Sequence, residues 1–255
     1  MRSIPNREAR RRLIFALDDG RTLEEALSWV ERLRNHVGMF KVGKGSFTAL
    51  GPEIIRRIHE DGGQVFLDLK FHDIPATVAK AVEAAARLNV RMLNIHALGG
   101  MEMMKAAVNS LREADGRSAM AEPLLLAVTI LTSLNDSDLK QMGFSRPCSE
   151  TALNLARMAQ DAGVTGVVAS AWDIVPIREA CGQDFLIVTP GIREASADTA
   201  GDDQKRTLAP AEAIRAGADY IVLGRPIRRA EDPAGEAERI AVEIARGLAG
   251  RGSDV

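Results

Sequence analysis

The sequence predicts a single-domain α/β protein, a (β/α)8 or TIM barrel. Eight short apolar runs alternate with longer segments of helical period, the pattern of repeated βα units on a parallel sheet. The 255 residues leave about 32 per unit, enough for one strand, one helix and two loops. Polar residues gather where the apolar runs end, and barrels carry their chemistry at that end of the strands.

The predicted strands are LIFALD (13–18), VGMFKVG (37–43), QVFLDLK (64–70), VRMLNIHA (90–97), PLLLAVTIL (123–131), TGVVAS (165–170), FLIVTP (185–190) and YIVLGR (220–225). Between the first two, Thr22-Leu-Glu-Glu25 is a capping box, and Leu23, Ala26, Leu27, Val30 and Leu33 form one apolar face behind it. Pro52 fits a first helical turn ahead of Ile54, Ile55 and Ile58. Met101, Met104, Val108 and Leu111 make a core stripe, and Ile240, Ile244 and Leu248 another on the last helix. After the fifth strand, Ser133 to Ser149 breaks the rhythm and reads as a loop with a short helix around Asp136–Met142. No G-x-G-x-x-G follows the first strand, so an eight-unit barrel is preferred to an open doubly wound sheet.

Hydrophobic residues are 46% of the chain and charged residues 27%, an ordinary balance for a globular domain. The net charge of −2 offers no general attraction to nucleic acid or anionic membranes, so any positive field must be local. The arginine-rich opening, residues 1–12, is expected to be a solvated tail, with the barrel running from 13 to 255. No apolar run reaches the roughly 20 residues that span a bilayer. Cys148 and Cys181 have no metal-ligand spacing, which suits a soluble protein of a reducing cytoplasm.

The strand ends carry Asp18, Lys41, Asp68 with Lys70, His96, Thr129 with Thr132, Ser170, Arg193, and Gly224-Arg225. Packing alone does not ask for so many unrelated polar groups at one level. The densest stretch is Asp68-Leu-Lys70-Phe-His-Asp73-Ile74-Pro-Ala-Thr77. Side chains alternate along a strand, so Asp68 and Lys70 share a face. A lone Asp–Lys pair would be read as a structural ion pair, but Lys41 one strand away makes an Lys-Asp-Lys-Asp array. His72 suits packing or capping, and His36 and His59 lack acidic partners at ligand spacing.

The segments ALD, KVG, DLKFHDIPAT, VTILTS, VTPGIR and GRPI, in that order on successive strands, resemble the bacterial orotidine 5′-phosphate decarboxylases. The resemblance runs from Leu13 to about Ala234, with one departure: the family commonly has Asn where this chain has Ala76. It implies a carboxy-lyase that converts orotidine 5′-monophosphate to uridine 5′-monophosphate in pyrimidine biosynthesis, with no cofactor and no metal. Lys41, Asp68, Lys70 and Asp73 would form its charge network, with Lys70 protonating the C6 carbanion left by CO₂. The substrate would also be held by Asp18, Ile74, Thr77, Thr132, Arg193, Gln204, Gly224 and Arg225. Gly224, Arg225 and Arg193 would take the phosphate, and Gln204 would reach across the closed site. The resemblance further implies a homodimer in which Asp73 and Thr77 serve the neighbouring subunit's pocket.

Two rival readings stand beside this one. Sugar-phosphate enzymes that share Asp-x-Lys-x-x-Asp use magnesium to stabilise an enediolate; Ile74-Pro75, VTPGIR and the Gln204 segment favour the nucleotide. A silent nucleotide-phosphate binder would keep Gly224 and Arg225 but would not need four clustered charges.

Overall fold

The computed structural model describes residues 7–18, 22–115, 122–192 and 208–251. Eight parallel strands close into a barrel in chain order: β1 Leu13–Ala16, β2 Met39–Gly43, β3 Val65–Phe71, β4 Met92–His96, β5 Leu124–Val128, β6 Gly166–Val168, β7 Leu186–Pro190 and β8 Tyr220–Leu223. Closure is made by β1 against β8, with Leu13, Ile14 and Phe15 opposite Ile221, Val222 and Leu223. Closing the sheet removes its exposed edges. All eight predicted strands are present. Seven of the predicted runs are longer than the observed strand, most clearly after β5, where Thr129 to Leu131 already belong to the mouth loop, while β3 runs one residue further than its predicted end, to Phe71.

Helices clothe the barrel: α1 Arg7–Arg11, α2 Leu23–Leu33, α3 Lys44–Leu50, α4 Glu53–Glu60, α5 Pro75–Ala86, α6 Gly100–Asp115, α7 Asp136–Gln141, α8 Cys148–Asp161, α9 Ile174–Cys181, α10 Pro210–Ala216, α11 Arg225–Arg229 and α12 Pro233–Gly250. The capping box at Thr22 and Glu25 is formed. Asn135 and Asp138 make a second one at the start of α7, the short helix expected after the fifth strand.

Strand alternation divides the core in two. Leu13, Phe15, Phe40, Val42, Val65, Leu67, Leu93 and Ile95 point outward and pack under the helices. Ile14, Ala16, Met39, Phe66, Met92, Leu126, Val188 and Val222 fill the barrel interior. The same two-residue period puts Lys41 in line with Met39, Asp68 and Lys70 with Phe66, and Asn94 with Met92. The apolar plug of the barrel thus becomes a polar floor toward the carboxyl ends.

The expected tail needs correction. Residues 7–11 form α1 and Ala9 is fully buried in the helix-packed core. The Arg10 guanidinium pairs with Glu238 of α12 at 3.0 Å, and His36 Nδ1 meets the same carboxylate at 2.7 Å. Arg12 donates to the Asp219 carbonyl at 3.1 Å. One small apolar residue among arginines gave too weak a periodic signal to read as a packed helix.

Candidate active site

At the carboxyl ends of the strands a cavity of about 750 Å³ opens. Asp18, Lys41, Asp68, Lys70, Thr132, Gly224 and Arg225 line it, all but Asp68 half-buried or exposed there. Lys41 comes from β2, Asp68 and Lys70 from β3, and Asp18 from the turn after β1. Thr132 and Ser133 come from the loop after β5, and Gly224-Arg225 opens α11 beyond β8. Residues from separate strands meet because the closed barrel brings every strand end to one mouth.

The charges alternate along a chain of contacts. Lys41 Nζ donates to Asp18 Oδ1 at 2.6 Å and lies 3.2 Å from Asp68 Oδ2. Asp68 Oδ1 accepts from Lys70 Nζ at 2.5 Å and from Asn94 Nδ2 at 2.7 Å. The sequence Asp18–Lys41–Asp68–Lys70 is therefore balanced, and each buried charge has an opposite neighbour, as desolvation requires. Gly43 leaves the space this needs: a Cβ there would stand 2.9 Å from Asp18 Oδ1 and 3.3 Å from Lys41 Nζ.

Burial alone would push the Asp68 carboxyl up. The positive charges of Lys41 and Lys70, with hydrogen bonds from Lys70 and Asn94, outweigh it and hold the group below the ordinary carboxylate range. For Lys41, burial works against the ammonium, but Asp68 and Asp18 overcome it and raise its pKa. Both groups stay charged in the barrel floor.

Not every predicted site residue joins this cluster. Asp73, Ile74 and Thr77 stand on the exposed stretch 72–77, outside the cavity of their own chain. The Asp73 carboxylate accepts the Ile74 N–H at 2.6 Å. The expected Lys-Asp-Lys-Asp array is thus replaced, within one chain, by one in which Asp18 is the second acid. Arg193 and Gln204 lie outside the described residues. Thr129 and Ser170 are fully buried and do not line the cavity. His72 stacks on His96, ring centroids 5.3 Å apart and 23° between planes.

Two site residues were missed. Asn94 bonds both Asp68 and the backbone N–H of Lys70; an amide inside the apolar run VRMLNIHA, in phase with Met92, was the signal. Arg228 lines the cavity and donates to the Ala16 carbonyl at 2.5 Å, with its guanidinium 5.5 Å from the Phe15 ring. It was hidden beside Arg225 and Arg229 in a run of basic residues.

Residues 11–240 match the family model described as Orotidine 5'-phosphate decarboxylase / HUMPS family. The orotidine 5'-phosphate decarboxylase of Syntrophus aciditrophicus is 57% identical over 250 residues, covering 98% of this chain and 99% of the relative. That of Geobacter sulfurreducens is 54% identical over 240 residues, covering 94% and 98%. Among solved structures, orotidine 5'-phosphate decarboxylase from Lactobacillus acidophilus superposes with a TM-score of 0.78 at 37% identity, covering 91% of this chain and 98% of that one.

Proposed function

We propose how a chain that belongs to the orotidine 5′-phosphate decarboxylase / HUMPS family, and that decarboxylates orotidine 5′-monophosphate to uridine 5′-monophosphate in pyrimidine biosynthesis, divides that work among its residues. Lys70 is the proton donor. Breaking the bond between C6 and the carboxylate releases CO₂ and leaves an electron pair on C6. The Lys70 ammonium stabilises that pair while it forms and then gives it a proton, and the resulting amine is reprotonated from solvent.

The observation that carries the assignment is the unequal hold on the two lysines. Lys41 is clamped between two carboxylates, Asp18 and Asp68. Lys70, at the end of the charge chain, has one carboxylate within ion-pair distance among the described residues, and its side chain is 27% exposed at the cavity against 12% for Lys41. An ammonium has three N–H donors, so Lys70 keeps donors to aim at a reacting atom.

Asp68 faces the leaving carboxylate, while Asp18 and Lys41 hold the ribose hydroxyls. Thr132 meets the pyrimidine. Gly224 and Arg225 take the phosphate, since the loops after strands seven and eight are where barrels commonly bind it, and Arg193 and Gln204 complete that grip. Binding energy from the remote phosphate then assists chemistry at the base. Asp73, Ile74 and Thr77, exposed and outside the cavity of their own chain, act on the pocket of a second copy in a homodimer with shared sites. The buried free thiols of Cys148 and Cys181 suit a reducing cytoplasm.

The test is the absorbance of orotidine 5′-monophosphate mixed with protein in excess EDTA. Wild type is expected to bleach the orotate chromophore and yield uridine 5′-monophosphate, and folded Lys70→Ala to lose at least about 10³-fold in kcat. Near-normal turnover by the variant would remove Lys70 from the proton-donor role. Loss of wild-type turnover in EDTA, restored by magnesium, would mean that the reaction needs a metal ion beside the charge network and would overturn this division of labour.

A further inference from the structure

Strands β3 and β4 are in register at Leu67 and Leu93, then resume at Phe71 and Ile95. Four steps along β3 are matched by two along β4, so the chain bulges at the point where it presents its catalytic charges. Lys70 sits in that bulge with φ 51°, a left-handed conformation that a long side chain seldom adopts. Something must hold it there.

Asn94, fully buried on β4, occupies the gap. Its Oδ1 accepts the Lys70 N–H at 2.7 Å, a hydrogen bond that the slipped ladder does not supply. Its Nδ2 donates at 2.7 Å to Asp68 Oδ1, the oxygen that also takes the Lys70 ammonium at 2.5 Å. The orientation of the amide is dictated by its partners, because a backbone N–H can only donate and a carboxylate only accept.

We infer that Asn94 is a positioning residue for decarboxylation: one amide fixes the backbone of Lys70 and the carboxylate of Asp68 together, and so sets where the ammonium points. The inference rests on Lys70 being the proton donor. Serine is too short to span both partners, and leucine offers neither bond. Aspartate keeps the size but cannot donate to Asp68 while ionised.

The experiment compares Asn94→Ala with wild type in orotidine 5′-monophosphate turnover, uridine 5′-monophosphate binding and urea unfolding. A misplaced reacting group typically costs on the order of 100-fold in rate, and that loss is expected in kcat. Affinity for uridine 5′-monophosphate should stay within about threefold, since uniform binding is untouched. The acid limb of the kcat profile should also move to higher pH, because Asp68 loses a donor that favours its charged form. Wild-type kcat in a folded variant, or equal losses in kcat and product affinity, would overturn the inference.

Should Asn94→Ala fail to fold, Asn94→Asp keeps the volume. Its kcat should be depressed at neutral pH and rise on acidification, as the new carboxyl gains a proton to donate to Asp68. A flat profile would overturn the same inference. Lys70→Ala measured alongside separates the two claims. Full turnover there removes the proton donor itself, whereas an inactive Lys70→Ala beside a wild-type Asn94→Ala removes only the role of Asn94.

Discussion

Keeping a buried carboxylate ionised demands compensation, and Asp68 receives it from three directions: Lys41, Lys70 and Asn94. His96, two residues beyond Asn94, meets the opposite problem. A charged imidazole there would be part-buried among other positive groups, with no acid to balance it among the groups that set its pKa. Burial first, then the electrostatic influence of His72, Lys70 and Lys44, bring its pKa down from 6.5 to about 4. His96 is therefore neutral at neutral pH, and its Nδ1 accepts the Leu98 N–H. In the unfolded chain it titrates near 6.5. Between that value and about 4 the unfolded state binds a proton that the folded state does not, so stability falls as pH drops through this window and is level above it. On going from pH 7.5 to 4.5, wild type should lose more urea stability than His96→Gln. Equal losses would show that His96 is not held neutral by the fold.

At the scale of the elements, the junction between α1 and β2 is the place where packing can be tested most sharply. A Cβ on Gly38 would stand 2.2 Å from the Arg11 carbonyl oxygen, and the Gly38 N–H donates to the Leu13 carbonyl at 2.8 Å. Backbone cannot yield as a side-chain tip can, so Gly38→Ala must push α1 off the base of the barrel. Overpacking of this kind costs about 1–3 kcal/mol, and urea unfolding should register it while kcat of the folded protein is unchanged. Wild-type stability would mean that α1 does not dock at this distance.

The same elements explain what the sequence made legible. Strands buried on both faces read as apolar runs whatever their partners, so all eight could be seen. Their polar ends marked Asp18, Lys41, Asp68 and Lys70 for the same reason. The bulge in β3 could not be seen, because it arises from a mismatch with β4 that neither strand encodes alone. Asn94 stayed hidden with it, and α1, with Ala9 as its one buried side chain, carried too little apolar surface to announce itself.

At the scale of the whole molecule, one chain assembles Asp18, Lys41, Asp68, Lys70, Thr132, Gly224 and Arg225 around a cavity, yet turns 72–77 outward. Ile74 is 66% exposed in that stretch, an apolar side chain flanked by Asp73 and Thr77 with its own barrel offering no cover. The proposed two-copy site gives these residues work across a two-fold axis, where each contact occurs twice. It follows that Lys70→Ala and Asp73→Ala, placed on different chains of a mixed dimer, damage the same pocket. One pocket carries both defects, and the other carries neither, since it takes Lys70 from the second variant and Asp73 from the first. Each variant alone should be nearly inactive. Unfolded together in equal amounts and refolded, they should regain roughly a quarter of wild-type activity, because half of the dimers are mixed and each has one intact pocket of two. A mixture no more active than its components would place Asp73 in the pocket of its own chain, and the exposed 72–77 stretch would then have to fold back over Lys70 when substrate binds.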